Sequence, residues 1–118
     1  TEEELKAFES QLQDRFGALP VQVVDLFNSV RIKWIASKIG FEKIVMKQGK
    51  FIGYFINDQQ SNFYQSKYFT KVLQFIQNNP NAYKMKEKQT RSGLRLLLTI
   101  ESIKSVKQVL TKLQPIVA

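Results

Sequence analysis

FEKIVMKQGKFIGYFIN, residues 41–57, places two short runs of Ile, Val, Phe and Tyr on either side of Gln48-Gly49. β-branched and aromatic residues around a Gln-Gly turn predict a β-hairpin. Both faces of FIGYFI are apolar, the pattern of a strand covered on two sides. The stretch marks a change of period, because the residues before it repeat at helical spacing.

Upstream, PVQVVDLFNSVRIKWIASKIG, residues 20–40, carries Val23, Phe27, Val30 and Trp34 three and four positions apart. This spacing predicts a helix opened by Pro20, closed by Gly40, and facing the core with Trp34. TEEELKAFESQLQDRF, residues 1–16, begins with a capping box, Thr1 and Glu4, and aligns Leu5, Phe8 and Leu12, with Phe16 near its end. Between the two helices lies DRFGALP, residues 14–20, in which Phe16, Gly17, Leu19 and Pro20 predict an αα-corner that presents Asp14 and Arg15.

Downstream, SKYFTKVLQFIQNNP (66–80) restores the helical period through Phe69, Val72 or Leu73, and Ile76. YKMKEKQTRSGLRLLLTI (83–100) predicts a second hairpin, with Lys84, Lys86 and Lys88 alternating against Tyr83, Met85 and Glu87, and with Leu94, Leu96, Leu98 and Ile100 on the buried side of the return strand. SIKSVKQVLTKLQ (102–114) predicts a last helix capped by Ser102, with Ile103, Val106, Val109 or Leu110, and Leu113 on one face. The expected fold is α+β: a helical hairpin over 1–40, then two strand-strand-helix units over 41–118, forming one domain with an antiparallel sheet and helices packed on it. The expected mobile stretch is NDQQSN, residues 57–62.

With 118 residues, 43% of them hydrophobic, one core is expected. The Thr start suggests a piece of a longer protein, and no run approaches the ~20 apolar residues of a membrane span. Lacking both Cys and His, the chain has neither thiolate chemistry nor the usual zinc ligands and proton shuttle. Beyond residue 30 the acids Glu42, Asp58, Glu87 and Glu101 are isolated, and no glycine-rich phosphate loop is present. Catalysis, metal and cofactor are therefore not expected in this chain.

Charge is polarised. Residues 1–30 hold six acids against Lys6 and Arg15, a net of −4, whereas the remainder holds sixteen Lys/Arg against four acids, a net of +12. Lys84, Lys86, Lys88, Arg91 and Arg95 cluster on the second hairpin, and Phe51, Tyr54 and Phe55 could offer stacking faces on the first. Outward lysines also protect an edge strand from aggregation, so the cluster reads first as a solvated or protein-facing surface and second as a nucleic-acid contact.

The segment LQDRFGALPVQVVDLFNSVRIKWIASKIGFEKI, residues 12–44, resembles the opening of the C-terminal domain of bacterial transcription-repair coupling factors, with its Asp-Arg-aromatic-Gly corner, long helix and Gly-x-x-Lys-Ile strand entry. Phe41 stands where an aliphatic residue is usual. FIQNNPNAYKMK, residues 75–86, resembles the family's later helix-Pro-x-x-Tyr-basic stretch. The resemblance implies a cytoplasmic parent, an ATP- and Mg-dependent translocase on double-stranded DNA that displaces stalled RNA polymerase and recruits UvrA for nucleotide excision repair. It further implies that this domain is a non-catalytic lid, which packs on the UvrB-like module of the same chain and masks the UvrA-binding surface. Asp14 and Arg15 would then pair with charges on that module, or cap the corner locally, or both. Gln11 stands where a carboxylate would reinforce an acidic contact edge. The alternative is a basic accessory domain that touches DNA or RNA polymerase directly.

Overall fold

The computed structural model describes residues 1–58 and 60–118. Two helices, α1 (Glu2–Phe16) and α2 (Val21–Ile39), precede the hairpin β1 (Phe41–Lys47) and β2 (Lys50–Phe55). A 3-10 turn (Asn62–Gln65) leads into α3 (Lys67–Gln77), followed by β3 (Lys84–Thr90), β4 (Gly93–Ile100) and α4 (Val106–Val117). The expected α+β order and antiparallel sheet are both present. The strands run β1-β2-β4-β3, so the hairpins meet through their second strands and leave β1 and β3 as edges.

Local chemistry sets most boundaries. The Thr1 hydroxyl accepts from the Glu4 N–H at 3.2 Å, completing the expected cap of α1. The Gly17 N–H donates to Gln13 O at 2.8 Å with φ at +78°, which ends that helix. Pro20 is the residue before α2 rather than its first turn, and its carbonyl accepts from Val23 and Val24. Gln48 and Gly49 both have positive φ, as a two-residue hairpin turn requires. The last helix starts three residues later than expected. Ser105, not Ser102, caps it through the Gln108 N–H, while the Ile103 N–H reaches Gly49 O at 2.7 Å and pins the incoming segment to the first hairpin.

Part of the expected mobile stretch 57–62 falls on Gln59, which lies outside the described residues. Of the described residues in this stretch, Ser61 N–H donates to Asp58 O at 3.0 Å and Gln60 N–H to Asp58 Oδ1 at 2.9 Å.

The core lies between one sheet face and the helices. Phe51, Phe55, Leu98 and Ile100 meet Ile32, Ala36 and Ile39 of α2, Phe69, Val72 and Ile76 of α3, and Val109, Leu113 and Ile116 of α4. Register puts Phe41/Phe55, Gly53/Leu98 and Phe51/Ile100 on this face. The expectation that FIGYFI is covered on both sides is corrected: Ile52 and Tyr54 fall on the face away from the helices. Leu94 is exposed, so the buried side of β4 begins further along, at Leu96.

The core face of α2 also differs from expectation. Asn28, Ile32, Ala36 and Ile39 are buried, whereas Trp34 remains 39% exposed and Val30 is exposed beside it. This helix is apolar around most of its circumference, so periodicity cannot select a face, and α4 takes the Ile32–Ile39 side.

Candidate functional site

No residue of α1 is buried, although Leu5, Phe8 and Leu12 align as an apolar stripe. Its attachment is polar instead. Arg31 of α2 is only 14% exposed and donates from Nε to both Glu2 carboxylate oxygens at 3.0 Å, from Nη1 to Asn28 Oδ1 at 3.0 Å, and from Nη2 to Glu9. Burial pulls the Arg31 guanidinium down, but the hydrogen bonds and charges of Glu2 and Glu9 outweigh it and hold the side chain firmly protonated. One ring contact, Phe8 against Phe27 at 5.8 Å, completes the seam.

Because Glu2 and Glu9 can regain water if α1 lifts, Arg31→Met should cost about 1–2 kcal/mol, below the range for a fully buried pair. Hydrogen exchange should show α1 amides losing protection while those of β2 and β4 keep theirs. Uniform loss across the chain would place Arg31 in the global core instead.

At the far end of this hairpin, Gln11, Asp14 and Arg15 are all exposed. Among the described residues Asp14 has no hydrogen bond or ion pair, and the corner carbonyl is capped by backbone, so Asp14 and Arg15 do not cap it locally. Arg15 stands over the Phe16 ring at 5.7 Å, and Phe16 is itself 72% exposed. Gly17 and Pro20 shape the corner, with Leu19 half-buried beneath it. Phe16 belongs to what the corner presents, because no residue of α1 reaches the core that would have covered it.

A second feature lies along α2. Leu26, 68% exposed, Val30 and Trp34 recur every four residues on the outer side of α2 and form an apolar stripe. Trp34 also borders an open cleft of about 820 Å³ between α1, α2 and α4, lined by Glu9, Arg31, Lys38 and Leu110. Sequence reading assigned Val30 and Trp34 of this stripe to the core, with Val23 and Phe27, and did not single out Leu26; the signal it missed is the surplus of apolar positions on α2, more than one face can bury.

The basic residues divide into groups. Lys84 pairs with Glu101 at 3.1 Å, with Lys50 on the same carboxylate at 3.9 Å, and Lys84 is the main cause that holds Glu101 below the ordinary carboxylate range. Arg95 reaches Glu42 at 3.7 Å and lies over the Tyr54 ring at 5.4 Å. Lys86 and Lys88 point the same way as Lys84, whereas Arg91 occupies the β3–β4 turn. Phe51 and Phe55 are core side chains, so only Tyr54 of the three aromatics reaches the open sheet face. Among the described residues no group of His, Cys, Asp or Glu could hold a metal ion, and no helix is long and apolar enough to cross a membrane.

Comparison with known proteins agrees with the corner. The transcription-repair-coupling factor of Rickettsia prowazekii (strain Madrid E) is 28% identical over 110 residues, which cover 92% of this chain and 9% of that protein. The chain therefore spans a small fraction of the curated relative's length. No solved structure matches it. The family model for the TRCF domain matches residues 1–66, more than half of the sequence and including the whole helical hairpin and first β-hairpin, and the chain belongs to that family.

Proposed function

We propose that this chain is the regulatory lid of a transcription-repair coupling factor, a non-catalytic domain that docks on the UvrB-like module of its own parent and masks the UvrA-binding surface. The parent supplies the rest: a cytoplasmic motor that uses ATP and Mg to move on double-stranded DNA and displaces stalled RNA polymerase. Family membership supports the parent's identity. The observation that carries the docking role is the exposed surface of the helical hairpin, which presents the Asp14-Arg15 pair at its corner and the Leu26–Val30–Trp34 stripe along α2.

The arrangement suits a contact that must open. Three apolar side chains can anchor an interdomain contact without making it permanent, and a rigid charged corner sets its register. In the coupling factor that carries this domain, Asp14→Ala with Arg15→Ala should raise UvrA affinity at least about tenfold, a 1.4 kcal/mol change, measured by surface capture of the purified protein. Unchanged UvrA affinity would remove both residues from the masking contact.

A further inference from the structure

We propose that the helix-free face of the sheet is a binding surface for the phosphate backbone of nucleic acid, assembled from both hairpins and reading charge without base sequence. Register defines this face. Lys43 stands opposite Tyr54 and Val45 opposite Ile52; Tyr54 stands opposite Leu97, and Leu97 opposite Lys86; Arg95 stands opposite Lys88. Lys47 and Lys50 close one end. Every charged residue whose side chain the register directs to this face is cationic. The two nearby carboxylates, Glu42 and Glu101, are taken up by Arg95 and by Lys84 with Lys50. Lys43, Lys47, Lys86 and Lys88 are exposed and have no ion pair among the described residues.

Of the residues beneath these lysines, Leu97 and Thr99 are buried and not available as protein anchors, and Val45 and Ile52 are only partly exposed. Leu97 is only 6% exposed although no helix covers it, because Tyr54 and Lys86 flank it, and Thr99 is buried between Ile52 and Lys84. Protein-binding patches are enriched in exposed aromatics and Arg and depleted in Lys. This face has the opposite composition, so a phosphate polyanion suits it better than an acidic protein. Base stacking is not its mode either. The one aromatic on the face, Tyr54, has Lys43 at 5.3 Å, Arg95 at 5.4 Å and Lys88 at 6.0 Å from its ring centre, so cations already occupy its surroundings. What remains is a flat array of point charges, with neighbours on one strand about 6.8 Å apart. Such an array binds backbone, is sequence-tolerant and is steeply salt-dependent.

The test is fluorescence anisotropy of the chain with a short labelled DNA duplex across a salt series. Four phosphates neutralised by Lys43, Lys47, Lys86 and Lys88 give a slope of log K against log salt of about −3.6. The variant Lys43→Gln, Lys47→Gln, Lys86→Gln, Lys88→Gln should lose at least about 100-fold in affinity at low salt and most of that slope, with an unchanged thermal melt. A control with the same net charge, Lys33→Gln, Lys67→Gln, Lys71→Gln, Lys107→Gln, removes exposed lysines of α2, α3 and α4 and should bind as the unsubstituted chain does; equal loss in this control would overturn the proposal, leaving only net charge. A scrambled duplex should bind equally, and strong preference for one sequence would overturn backbone reading. Binding of polyglutamate without binding of duplex would assign the face to an acidic protein and overturn the proposal as well.

Discussion

Gly53→Ala should destabilise the fold by about 3 kcal/mol, at the upper end for overpacking, and lower the melting temperature by roughly 10–15 °C for a chain of this size. A Cβ built at Gly53 comes within 2.5 Å of the Phe41 ring, and three ring atoms lie closer than 2.8 Å. That ring cannot swing aside, since it packs against Phe55 at 4.8 Å and Phe51 at 6.0 Å, both fully buried. The backbone at Gly53 does not need glycine's conformational freedom, as its φ is not positive. Space alone is at stake, so Phe41→Leu in the same chain should recover a large part of the loss. Gly40 makes the contrast. Its Cβ would meet the Phe63 ring at 2.2 Å, but its φ is +102°, so Gly40→Ala should be equally damaging and trimming Phe63 should recover much less. Denaturant titrations of the four variants check both statements. Equal recovery at the two positions would mean that the left-handed backbone at Gly40 carries little strain.

These contacts also explain which parts of the molecule could be read from the residue string. The Gln48-Gly49 turn, the Thr1 cap and the Phe69–Val72–Ile76 stripe depend on neighbours within a few positions, and each appears where local rules put it. The core side of α2 does not depend on neighbours alone. Val23, Phe27, Val30 and Trp34 fit helical spacing as well as Asn28, Ile32, Ala36 and Ile39 do, and only the arrival of α4 separates them. The Arg31 clasp joins residues 29 and 22 positions apart and carries no periodic signature. The lysine face is illegible for the same reason. Lys43 and Lys88 come to share Tyr54 only through the pairing of β2 with β4, a contact between two hairpins that local pattern does not specify. At the corner the sequence was informative about shape and silent about burial: Gly17 ends the helix, yet Phe16 beside it faces solvent.

The two surfaces lie on different sides of the molecule's layers. The lysines project from the sheet face that carries no helix, while Leu26, Val30 and Trp34 look outward from α2, which packs on the other side of the sheet. A lid docked through its hairpin would leave the lysine face open to a second partner, and loss of one contact need not disturb the other.

That separation makes the outer stripe testable without touching the basic face. Leu26→Glu with Trp34→Glu, placed in the coupling factor that carries this domain, should raise UvrA affinity about 30-fold or more, the effect of losing roughly 2 kcal/mol from a contact anchored by an aromatic residue. The substitutions suit their positions in the isolated fold. Both side chains are exposed, Glu is a good helix former, and the melting curve should move by less than the equivalent of about 1 kcal/mol. The lysine face should keep its full salt-dependent binding to duplex, because neither residue lies on the sheet. Trp34 is expected to supply most of the effect, since its large ring borders the cleft between α1, α2 and α4 and offers more apolar surface than Leu26 or Val30. Trp34→Phe should therefore retain most of the masking, whereas Leu26→Glu alone should release it only in part. A variant that melts normally and still withholds UvrA would show that the stripe is not the docked face, and would leave the Asp14-Arg15 corner to hold the lid closed by charge alone.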